Sequence, residues 1–530
     1  MVDRQSWTLP RLLRRALDEF PDAEALVDND VRWTFGDLVA NVHRAAAAMI
    51  ADGVRPGDRV AVWAPNGHRW MMAALGAVSA GAVLVPVSTR YRSAEASWIL
   101  RKSGASVLVV DDGFLGNDYL GMLAGQSPSG LRTVVAMRPS ANPSAVAWDD
   151  FLAGGERTEQ AELAGREAAV SPEDLCDMFF TSGTTGLAKG VLAAHHQTIA
   201  AAQAWCDGVG LARGDRYLLT NPMFHTFGYK AGVLAGLVRG VTLVSRPVFD
   251  VDEVLTLIEK ERISVFPGPP TVYVSLLDHP GRSGKDLSAL RLAVTGATVV
   301  PAALVERMRA ELLPNVIVAY GLTETCGMVS ICDPRSDAEV LSRTVGKPIP
   351  GVEVEIWAAD GTADGARLPA GEPGEVMVRG FTVMRGYYQE QAATDAAITP
   401  AGWLHTGDIG LVTADGNLRI TDRLKDMYTT GGFNVYPAEV EQVIAAHETV
   451  SEVAVIGVPD YRLGEVGKAL VVPRPGTTAA AGALIAFCRQ RLAGYKVPAS
   501  VEFVGTLPKN PAGKVRKDLL RAESPSQPPG

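Results

Sequence analysis

The sequence predicts an α/β protein with a large N-terminal domain of parallel sheets, a small β subdomain and a small α+β C-terminal domain. Strand and helix patterns alternate from Arg59 onward, as expected of parallel sheets covered by helices. The chain of 530 residues is too long for one hydrophobic core. The expected domains are residues 1–424, with the β subdomain at 345–422, and residues 425–530.

The first elements follow from the spacing of apolar residues. Leu9, Leu13 and Leu17 belong to a helical pattern that predicts an amphipathic helix over Met1–Phe20. We expect strands over Arg59–Ala64, Ala82–Val87 and Ser106–Val110, and helices over Arg69–Ala80 and Ala94–Ser103. The same alternation returns at residues 251–266 and 301–319.

Turn residues and helix-start residues mark the later elements. Asp415-Gly416 predicts a hairpin between Gly410–Thr413 and Leu418–Thr421. Pro437 is expected in the first turn of a helix. The elements expected after this helix are strands over Val453–Val458 and Ala469–Val472 and a helix over Ala483–Leu492.

Composition narrows the classes of partner and compartment. The net charge of −9 argues against nucleic acid or an anionic membrane surface as the main partner. The five cysteines lack CxxC spacing, which indicates neither a disulfide framework nor a zinc site. The apolar run Ala73–Val87 contains Gly76, Gly81 and Pro86, so it predicts a helix and a strand rather than a membrane span. We therefore expect a cytoplasmic protein.

Residues 181–189 form the most informative segment. The apolar run Cys176–Phe180 predicts a buried strand that opens into a loop of glycine, serine and threonine ending at Lys189. Glycines let the backbone approach an anion, and hydroxyls and the lysine attract phosphate oxygens. The loop is not of the Walker form, because Ala188 stands where that form needs glycine. The segment predicts a polyphosphate cradle, and the alternative is a flexible surface loop.

Further polar residues follow predicted strands. Tyr320 and Glu324 come where a buried strand ends, so the ring could stack on a purine and the carboxylate could offer oxygen to Mg²⁺. Asp408, after His405-Thr406-Gly407, could accept both hydroxyls of a ribose. The alternatives are an exposed acidic loop and a common turn.

Three features belong to the predicted C-terminal domain or its boundary. Asp422–Asp426 carries four charges and would on its own be a solvated linker. Gly431-Gly432 forms a paired-glycine loop before the helix at Pro437. Lys514 lies on a loop shaped by proline and glycine, whereas an ordinary lysine near a chain end is exposed and inert.

In this order and spacing, these motifs resemble those of the acyl-adenylate-forming superfamily, which includes acyl-CoA synthetases, luciferases and the adenylation domains of peptide synthetases. The resemblance covers the chain from the N-terminal helix to Lys514. The ATP-binding residues that it implies are Thr181, Ser182, Gly183, Thr184, Thr185, Gly186, Lys189, Gly296, Ala297, Tyr320, Gly321, Thr323, Asp408, Arg423 and Lys514. The implied Mg²⁺ ligands are Thr184 and Glu324.

The resemblance also implies roles in catalysis. Lys514, as the adenylation lysine, Glu324 and His225 would be the catalytic residues. Lys425 would be the hinge of a mobile C-terminal domain, and CoA would pass Gly431 and Gly432. The residues that would line the acyl pocket are His225, Thr226, Tyr229 and Gly321.

The implied activity is that of an ATP-dependent acyl-CoA synthetase acting on a small carboxylic acid, ATP and coenzyme A, with a homodimer left open. Free CoA is favoured over a tethered carrier, because the 16 residues after Lys514 cannot fold a carrier domain. The alternative classes are a luciferase-like oxidase, which shares the first half-reaction, and a catalytically inactive binding protein.

The segment Asn221–Gly228 bears on the acid. It lacks the aspartate with which amino-acid-activating relatives bind an ammonium group, which argues against an amino acid. Residues 221–234, 263–280 and 457–472 resemble a branch of the family that degrades sterols. This resemblance implies a methylhexahydroindanedione propanoate as the acid, and the alternatives are medium- or long-chain fatty acids and aryl acids.

Lys230 places a charge in an apolar segment near the expected acyl pocket. One interpretation is a lysine whose stem lies along a helix face while its ammonium reaches water. The other is a donor to a polar group of the acid.

Overall fold

The computed structural model describes residues 7–125, 130–140, 142–181, 187–296, 300–358, 365–424, 426–430, 433–460, 463–478, 480–492, 494–510 and 514–523. The chain divides into two compact units. The first comprises Met1–Glu353 and Val378–Leu404, and the second comprises Val354–Met377 and His405–Gly530. The domain boundary expected at residues 424 and 425 lies inside the second unit and stays a prediction.

The strands are named in chain order. They are β1 (Glu24–Asp28), β2 (Val31–Thr34), β3 (Arg59–Trp63), β4 (Val83–Pro86), β5 (Val107–Val110), β6 (Thr133–Ala136), β7 (Val146–Ala147), β8 (Leu175–Thr181), β9 (Lys189–Ala194), β10 (Arg216–Leu219), β11 (Thr242–Ser245), β12 (Val265–Pro267), β13 (Leu292–Gly296), β14 (Asn315–Tyr320), β15 (Ser330–Ile331), β16 (Lys347–Pro348), β17 (Val352–Trp357), β18 (Gly374–Gly380), β19 (Gly386–Tyr387), β20 (Leu404–Val412), β21 (Leu418–Arg423), β22 (Tyr428–Thr430), β23 (Phe433–Val435), β24 (Val450–Asp460), β25 (Gly464–Pro473) and β26 (Ser500–Phe503).

The α-helices are named in the same way. They are α1 (Leu9–Glu19), α2 (Phe35–Ala51), α3 (His68–Ser79), α4 (Ser93–Ser103), α5 (Tyr119–Met122), α6 (Trp148–Gly154), α7 (Gln160–Ala169), α8 (His195–Val209), α9 (Ala235–Arg239), α10 (Val251–Lys260), α11 (Pro270–Asp278), α12 (Ala302–Glu311), α13 (Ala338–Arg343), α14 (Gln391–Ala397), α15 (Pro437–Ala445), α16 (Ala481–Arg489) and α17 (Lys517–Ala522). A π-helical segment covers Phe227–Leu234.

Two sheets form the framework of the first unit. Sheet A has the strand order β16-β15-β14-β13-β12-β10-β11-β1-β2, and sheet B has the order β19-β9-β8-β4-β3-β5-β6-β7. The inner strands of both sheets are parallel, whereas the pairs β14–β15, β8–β9 and β9–β19 are antiparallel. Each sheet has a core of its own, with Phe266 and Tyr273 in that of sheet A and Trp63 and Tyr119 in that of sheet B. The predicted α/β class is confirmed.

The remaining strands form two further sheets. One has the order β17-β18-β20-β21, and β20 and β21 pair as the predicted hairpin, with Val412 opposite Leu418. The other lies in the second unit with the order β23-β22-β25-β24, and β26 adds to β25. No helix in the described part of the chain is both long and apolar enough to cross a membrane.

Most predicted elements of the first unit are found within one or two residues of their expected ends. Of the helix expected over Met1–Phe20, α1 covers Leu9–Glu19, and the Thr8 hydroxyl accepts the backbone N–H of Arg11 and caps it, whereas residues 1–6 lie outside the described residues. In the second unit, β24 and β25 are longer than the apolar runs that predicted them. Their pairing extends over polar positions, from Val450 opposite Pro473 to Asp460 opposite Gly464.

His195 ties the first helix to the interior of the first unit. Its side chain is buried, and its Nδ1 accepts the backbone N–H of Leu9 at 3.1 Å. Because Nδ1 must be unprotonated to accept, this bond holds the ring neutral. Burial lowers the pKa of His195 to about 4 from its ordinary value of 6.5.

We predict an acid-dependent loss of stability at this residue. Between pH 6.5 and 4 the unfolded chain binds a proton that the folded chain does not, so the folded state loses roughly 3 kcal/mol as the pH falls through this range. His195→Asn places an oxygen near the position of Nδ1 and removes the titration. The free energy of unfolding, measured by urea titration at each pH, should therefore fall less steeply in His195→Asn than in the wild type. Parallel curves for the two proteins would contradict the assignment, and His279→Gln, at a partly exposed position, is the control.

Candidate functional site

The Gly/Thr-rich loop is the connection between two antiparallel strands. Thr181 at the end of β8 lies opposite Lys189 at the start of β9. The indole N–H of Trp98 donates to the carbonyl of Ala188 at 2.9 Å and fixes the end of the loop next to Lys189. Of the predicted phosphate-binding residues, Ser182, Gly183, Thr184, Thr185 and Gly186 lie outside the described residues. The structure thus brings both ends of the loop together at one edge of sheet B.

Two neighbouring strands of sheet A end with the predicted adenine-binding residues. Gly296 ends β13 opposite Ala319 of β14, and a Cβ atom at Gly296 would lie 2.8 Å from the Ala319 carbonyl oxygen. Tyr320 ends β14, and Ala297 lies outside the described residues. At Gly321 a Cβ atom would lie 2.2 Å from the carbonyl oxygen of Gly327, so only glycine fits the turn after β14.

Glu324 joins the two sheets at this edge. The hydroxyl of Tyr387, on β19, donates to Glu324 Oε1 at 3.1 Å, and the backbone N–H of Met384 donates to the Glu324 carbonyl at 2.8 Å. The Lys189 ammonium lies 5.0 Å from the centre of the Tyr387 ring, within the range of a cation–π contact. Burial, together with the Glu324 charge, raises the pKa of Tyr387 well above its ordinary value, so the hydroxyl remains a donor at neutral pH.

Tyr387 is a residue that the sequence reasoning missed. It is separated from Glu324 by 63 positions in the chain, and no glycine-rich or charged pattern surrounds it. The only local signal is the pair Gly386-Tyr387 after an apolar run, which predicts a strand rather than a functional residue.

His225 and Thr226 extend the site along sheet A. The Thr226 hydroxyl lies 3.4 Å from that of Thr323, in the turn that carries Glu324. His225 is exposed, and the protein around its imidazole hinders hydration of the charged form and so lowers the pKa of the ring. The backbone N–H of Phe227 donates to Nδ1 at 3.3 Å, so the neutral ring carries its proton on Nε2.

The π-helical segment after His225 is almost entirely buried. Tyr229 is 0% exposed, and its ring packs against Trp70 and Phe179 with centroid distances of 5.8 and 6.0 Å. Its predicted place in the acyl pocket stays a prediction. Lys230 does not reach water, so the first interpretation of this lysine is wrong. Its ammonium instead lies 3.1 Å from Asp177 Oδ1. A carboxylate of the protein thus occupies the position that the second interpretation gave to a polar group of the acid.

The second unit holds the predicted ribose-binding residues. Asp408 on β20 is 2% exposed and lies opposite Arg423 on β21. The turn before it is held by Glu375, whose carboxylate contacts His405 Nδ1 at 2.9 Å and accepts the backbone N–H of Gly407 at 3.1 Å. Gly407 has a φ of 67°, in the left-handed region that favours glycine. Glu375 thus shapes the segment that presents Asp408.

Asp422–Asp426 is not a solvated linker. Asp422 and Asp426 are each 7% exposed. Asp422 accepts the backbone N–H of Ala438 at 2.7 Å, in the first turn of α15, and Asp426 pairs with Arg521 at 3.1 Å. The predicted hinge Lys425 between them lies outside the described residues, as do Gly431 and Gly432.

Lys514 closes a short loop of the second unit. Its backbone N–H donates to Asn510 Oδ1 at 2.9 Å, and its carbonyl accepts the backbone N–H of Asn510 at 2.7 Å. Lys514 is exposed. The backbone of this exposed lysine is therefore fixed.

The groups gathered in the first unit suit a nucleotide and a hard cation. Hydroxyls and the Lys189 ammonium can bind phosphate oxygens, and the Glu324 carboxylate offers the oxygen that Mg²⁺ prefers. Among the described residues, no cluster of three or more histidine, cysteine or acidic side chains could hold a metal by itself. A magnesium ion here would share its coordination with phosphates, as is usual for this ion.

Comparison with known proteins agrees with this interpretation. Residues 13–388 match the model of the AMP-binding enzymes, and residues 439–514 match that of the AMP-binding enzyme C-terminal domain. The 3-[(3aS,4S,7aS)-7a-methyl-1,5-dioxo-octahydro-1H-inden-4-yl]propanoyl:CoA ligase of Rhodococcus jostii is 49% identical over 528 residues, covering 98% of this chain and 100% of the relative. The ligase of the same name from Mycobacterium tuberculosis is 50% identical over 515 residues, covering 97% of this chain and 98% of the relative.

A solved structure gives a similar result. The ATP-bound MatB of Rhodopseudomonas palustris superposes with a TM-score of 0.83 at 28% identity. The match covers 97% of this chain and 98% of the solved chain.

We predict that Tyr387→Phe weakens the binding of ATP with Mg²⁺ by about tenfold, since it removes a hydrogen bond to a charged group. The dissociation constant can be measured by calorimetry at saturating Mg²⁺. Tyr388→Phe, at the next position, is the matched control, because its hydroxyl contacts Gln389 rather than Glu324. Equal losses in both variants would show that Tyr387 has no particular role.

Proposed function

Because the chain belongs to the family of AMP-binding enzymes and is an AMP-forming acyl-CoA ligase, we propose that its acid is 3-[(3aS,4S,7aS)-7a-methyl-1,5-dioxo-octahydro-1H-inden-4-yl]propanoate. The observation that carries this proposal is the identity of 49% and 50% to two ligases named for this acid, over nearly the full length of each. Medium- or long-chain fatty acids and aryl acids are the alternative substrates.

The proposed reaction begins with attack of the acid carboxylate on the α-phosphorus of ATP. Both partners are negative, so the protein must supply positive charge rather than a nucleophile. Lys189 would bind the β- and γ-phosphates, and Lys514 would bridge the carboxylate and the α-phosphate as a point charge. Glu324 and Thr184 would hold Mg²⁺, which adds positive charge at the phosphates when bound.

The remaining contacts would fix the two reactants. Tyr320, with Gly296 and Ala297, would hold the adenine, and Asp408 with Arg423 would hold the ribose. The burial of Asp408 supports this role, because a carboxylate shielded from water binds hydroxyl donors more strongly than an exposed one.

His225 would act at the acid. Its lowered pKa keeps the ring neutral at pH 7, so it can donate one hydrogen bond from Nε2 without adding a charge to the apolar segment. Thr226 and Gly321 would complete this end of the acyl pocket.

The second half-reaction requires the thiol of CoA to displace AMP. We propose that the thiol reaches the acyl-adenylate past Gly431 and Gly432. Residues 425–530 would rotate between the two half-reactions with Lys425 as the pivot, because a few residues at a domain boundary usually absorb such a rotation. All five cysteines are buried free thiols, which supports a reducing compartment, the cytoplasm.

The substrate proposal is tested with a panel of acids. AMP release is followed with the indanedione propanoate, a medium-chain fatty acid and an aryl acid, each with and without CoA. We expect kcat/KM for the indanedione acid to exceed that for either other acid by at least about 10²-fold, since a polar contact to each ketone adds discrimination. AMP release that depends on O₂ instead of CoA would favour the oxidase class, and a higher value for the fatty acid would favour that substrate.

Lys514→Ala is predicted to lower acyl-adenylate formation by roughly 10²–10³-fold, the usual loss for one electrostatic donor. Pyrophosphate exchange measures this step. Thioester formation from acyl-adenylate supplied ready-made should largely survive, because Lys514 is needed only at the α-phosphate. Lys509→Ala is the matched control, since this lysine of the same loop pairs with Glu452 at 2.6 Å. Equal damage to both half-reactions in Lys514→Ala would make the lysine structural.

A further inference from the structure

Lys230 and Asp177 form an ion pair inside the first unit. Their side chains are 4% and 1% exposed, and Nζ lies 3.1 Å from Oδ1. The second oxygen of Asp177 accepts the Thr198 hydroxyl at 2.6 Å, and the ammonium lies 5.7 Å from the centre of the Phe179 ring. Each charge therefore has a defined partner in a place that water does not reach.

The pair joins segments that belong to different parts of the candidate site. Asp177 is on β8, four residues before Thr181 and the phosphate loop. Lys230 is in the π-helical segment, which follows His225 and Thr226 directly. One buried ammonium thus contacts the strand that leads into the phosphate loop, while the lysine itself belongs to the segment that follows His225.

Stability alone gives a weak reason for such a pair. Removing two charges from water costs several kcal/mol per ion, and apolar side chains of similar size often serve a core as well or better. An ion pair is directional, whereas apolar packing is not, because the positions of its donor and acceptor atoms fix how the two side chains meet. The π-helical geometry of the segment points the same way, since such segments recur at functional sites.

We propose that Lys230 and Asp177 are positioning residues that couple the acid-binding segment to the nucleotide-binding loop. Binding of the nucleotide at the end of β8 sets Asp177, and through Lys230 it sets the segment that receives the acid. The proposal rests on the proposed function, because it takes the segment at His225 as the acid-binding one. Lys230 itself touches neither substrate.

The test compares single and double substitutions. Asp177→Asn or Lys230→Met alone leaves one buried charge without its partner and should lower Tm strongly. The double variant Asp177→Asn/Lys230→Met removes both charges and should regain most of the lost Tm. The matched control is Asp215→Asn/Arg291→Met, which removes the ion pair at the opposite edge of sheet A, before β10 and β13.

The decisive readout is the coupling between the two ligands. The dissociation constant of the acid is measured with and without the α,β-methylene analogue of ATP and Mg²⁺. We expect the analogue to tighten acid binding by at least about fivefold in the wild type and in the control, and by less than about twofold in the double variant. A double variant that regains its Tm and keeps the wild-type coupling overturns the proposal, as does a wild type without coupling.

Two further results separate the possible failures. If the double variant does not fold, Thr198→Val carries the test, because it removes only the hydroxyl that orients Asp177. Coupling in Thr198→Val should fall by at least about twofold, and unchanged coupling counts against the proposal. A wild type that binds none of the acids in the panel contradicts the proposed function itself. A wild type that forms acyl-CoA without coupling its ligands contradicts only the role of the pair.

Discussion

The candidate site depends on one junction, where the end of β14 is held against the pair β9–β19. Glu324 follows β14 of sheet A and Lys189 begins β9 of sheet B, so neither sheet alone fixes the distance between these residues. The Tyr387 hydroxyl and the backbone N–H of Met384, both bonded to Glu324, set this distance. A hydrogen bond to a carboxylate is strong and directional, which suits a junction that must hold two sheets in a fixed arrangement.

The sequence predicted what depends on neighbours along the chain. Alternating periodicity gave the parallel sheets, and Asp415-Gly416 gave the hairpin β20–β21. The sequence could not predict contacts between distant residues, such as that of Tyr387 with Glu324 or that of Lys230 with Asp177, which are 53 positions apart. The interpretation of Asp422–Asp426 as a solvated linker was wrong for the same reason, because Asp426 is buried and pairs with Arg521, 95 positions away. Local composition shows a charge but not the group that neutralises it.

Three lysines show how one residue type serves different purposes. Lys230 is buried and paired with a carboxylate, so its charge is neutralised, and the pair serves to fix the position of the segment that carries the lysine. Lys189 contacts an aromatic face, which leaves most of its charge available to a phosphate. Lys514 is exposed, with a fixed backbone and a long stem. A reaction that brings anions together needs ammonium groups that the anions can reach, because a buried and fully neutralised ammonium stabilises no developing charge.

The overall framework of the chain does not determine which acid it binds. A chain only 28% identical superposes with a TM-score of 0.83, so proteins whose sequences have diverged widely share the framework. We propose that selectivity lies in short segments built on that framework, such as residues 221–234. In this chain that segment contains Gly228, where a Cβ atom would lie 2.0 Å from the Pro222 carbonyl, and it is anchored by a buried ion pair. A segment fixed this tightly can distinguish acids by shape, because it cannot relax around one that fits poorly.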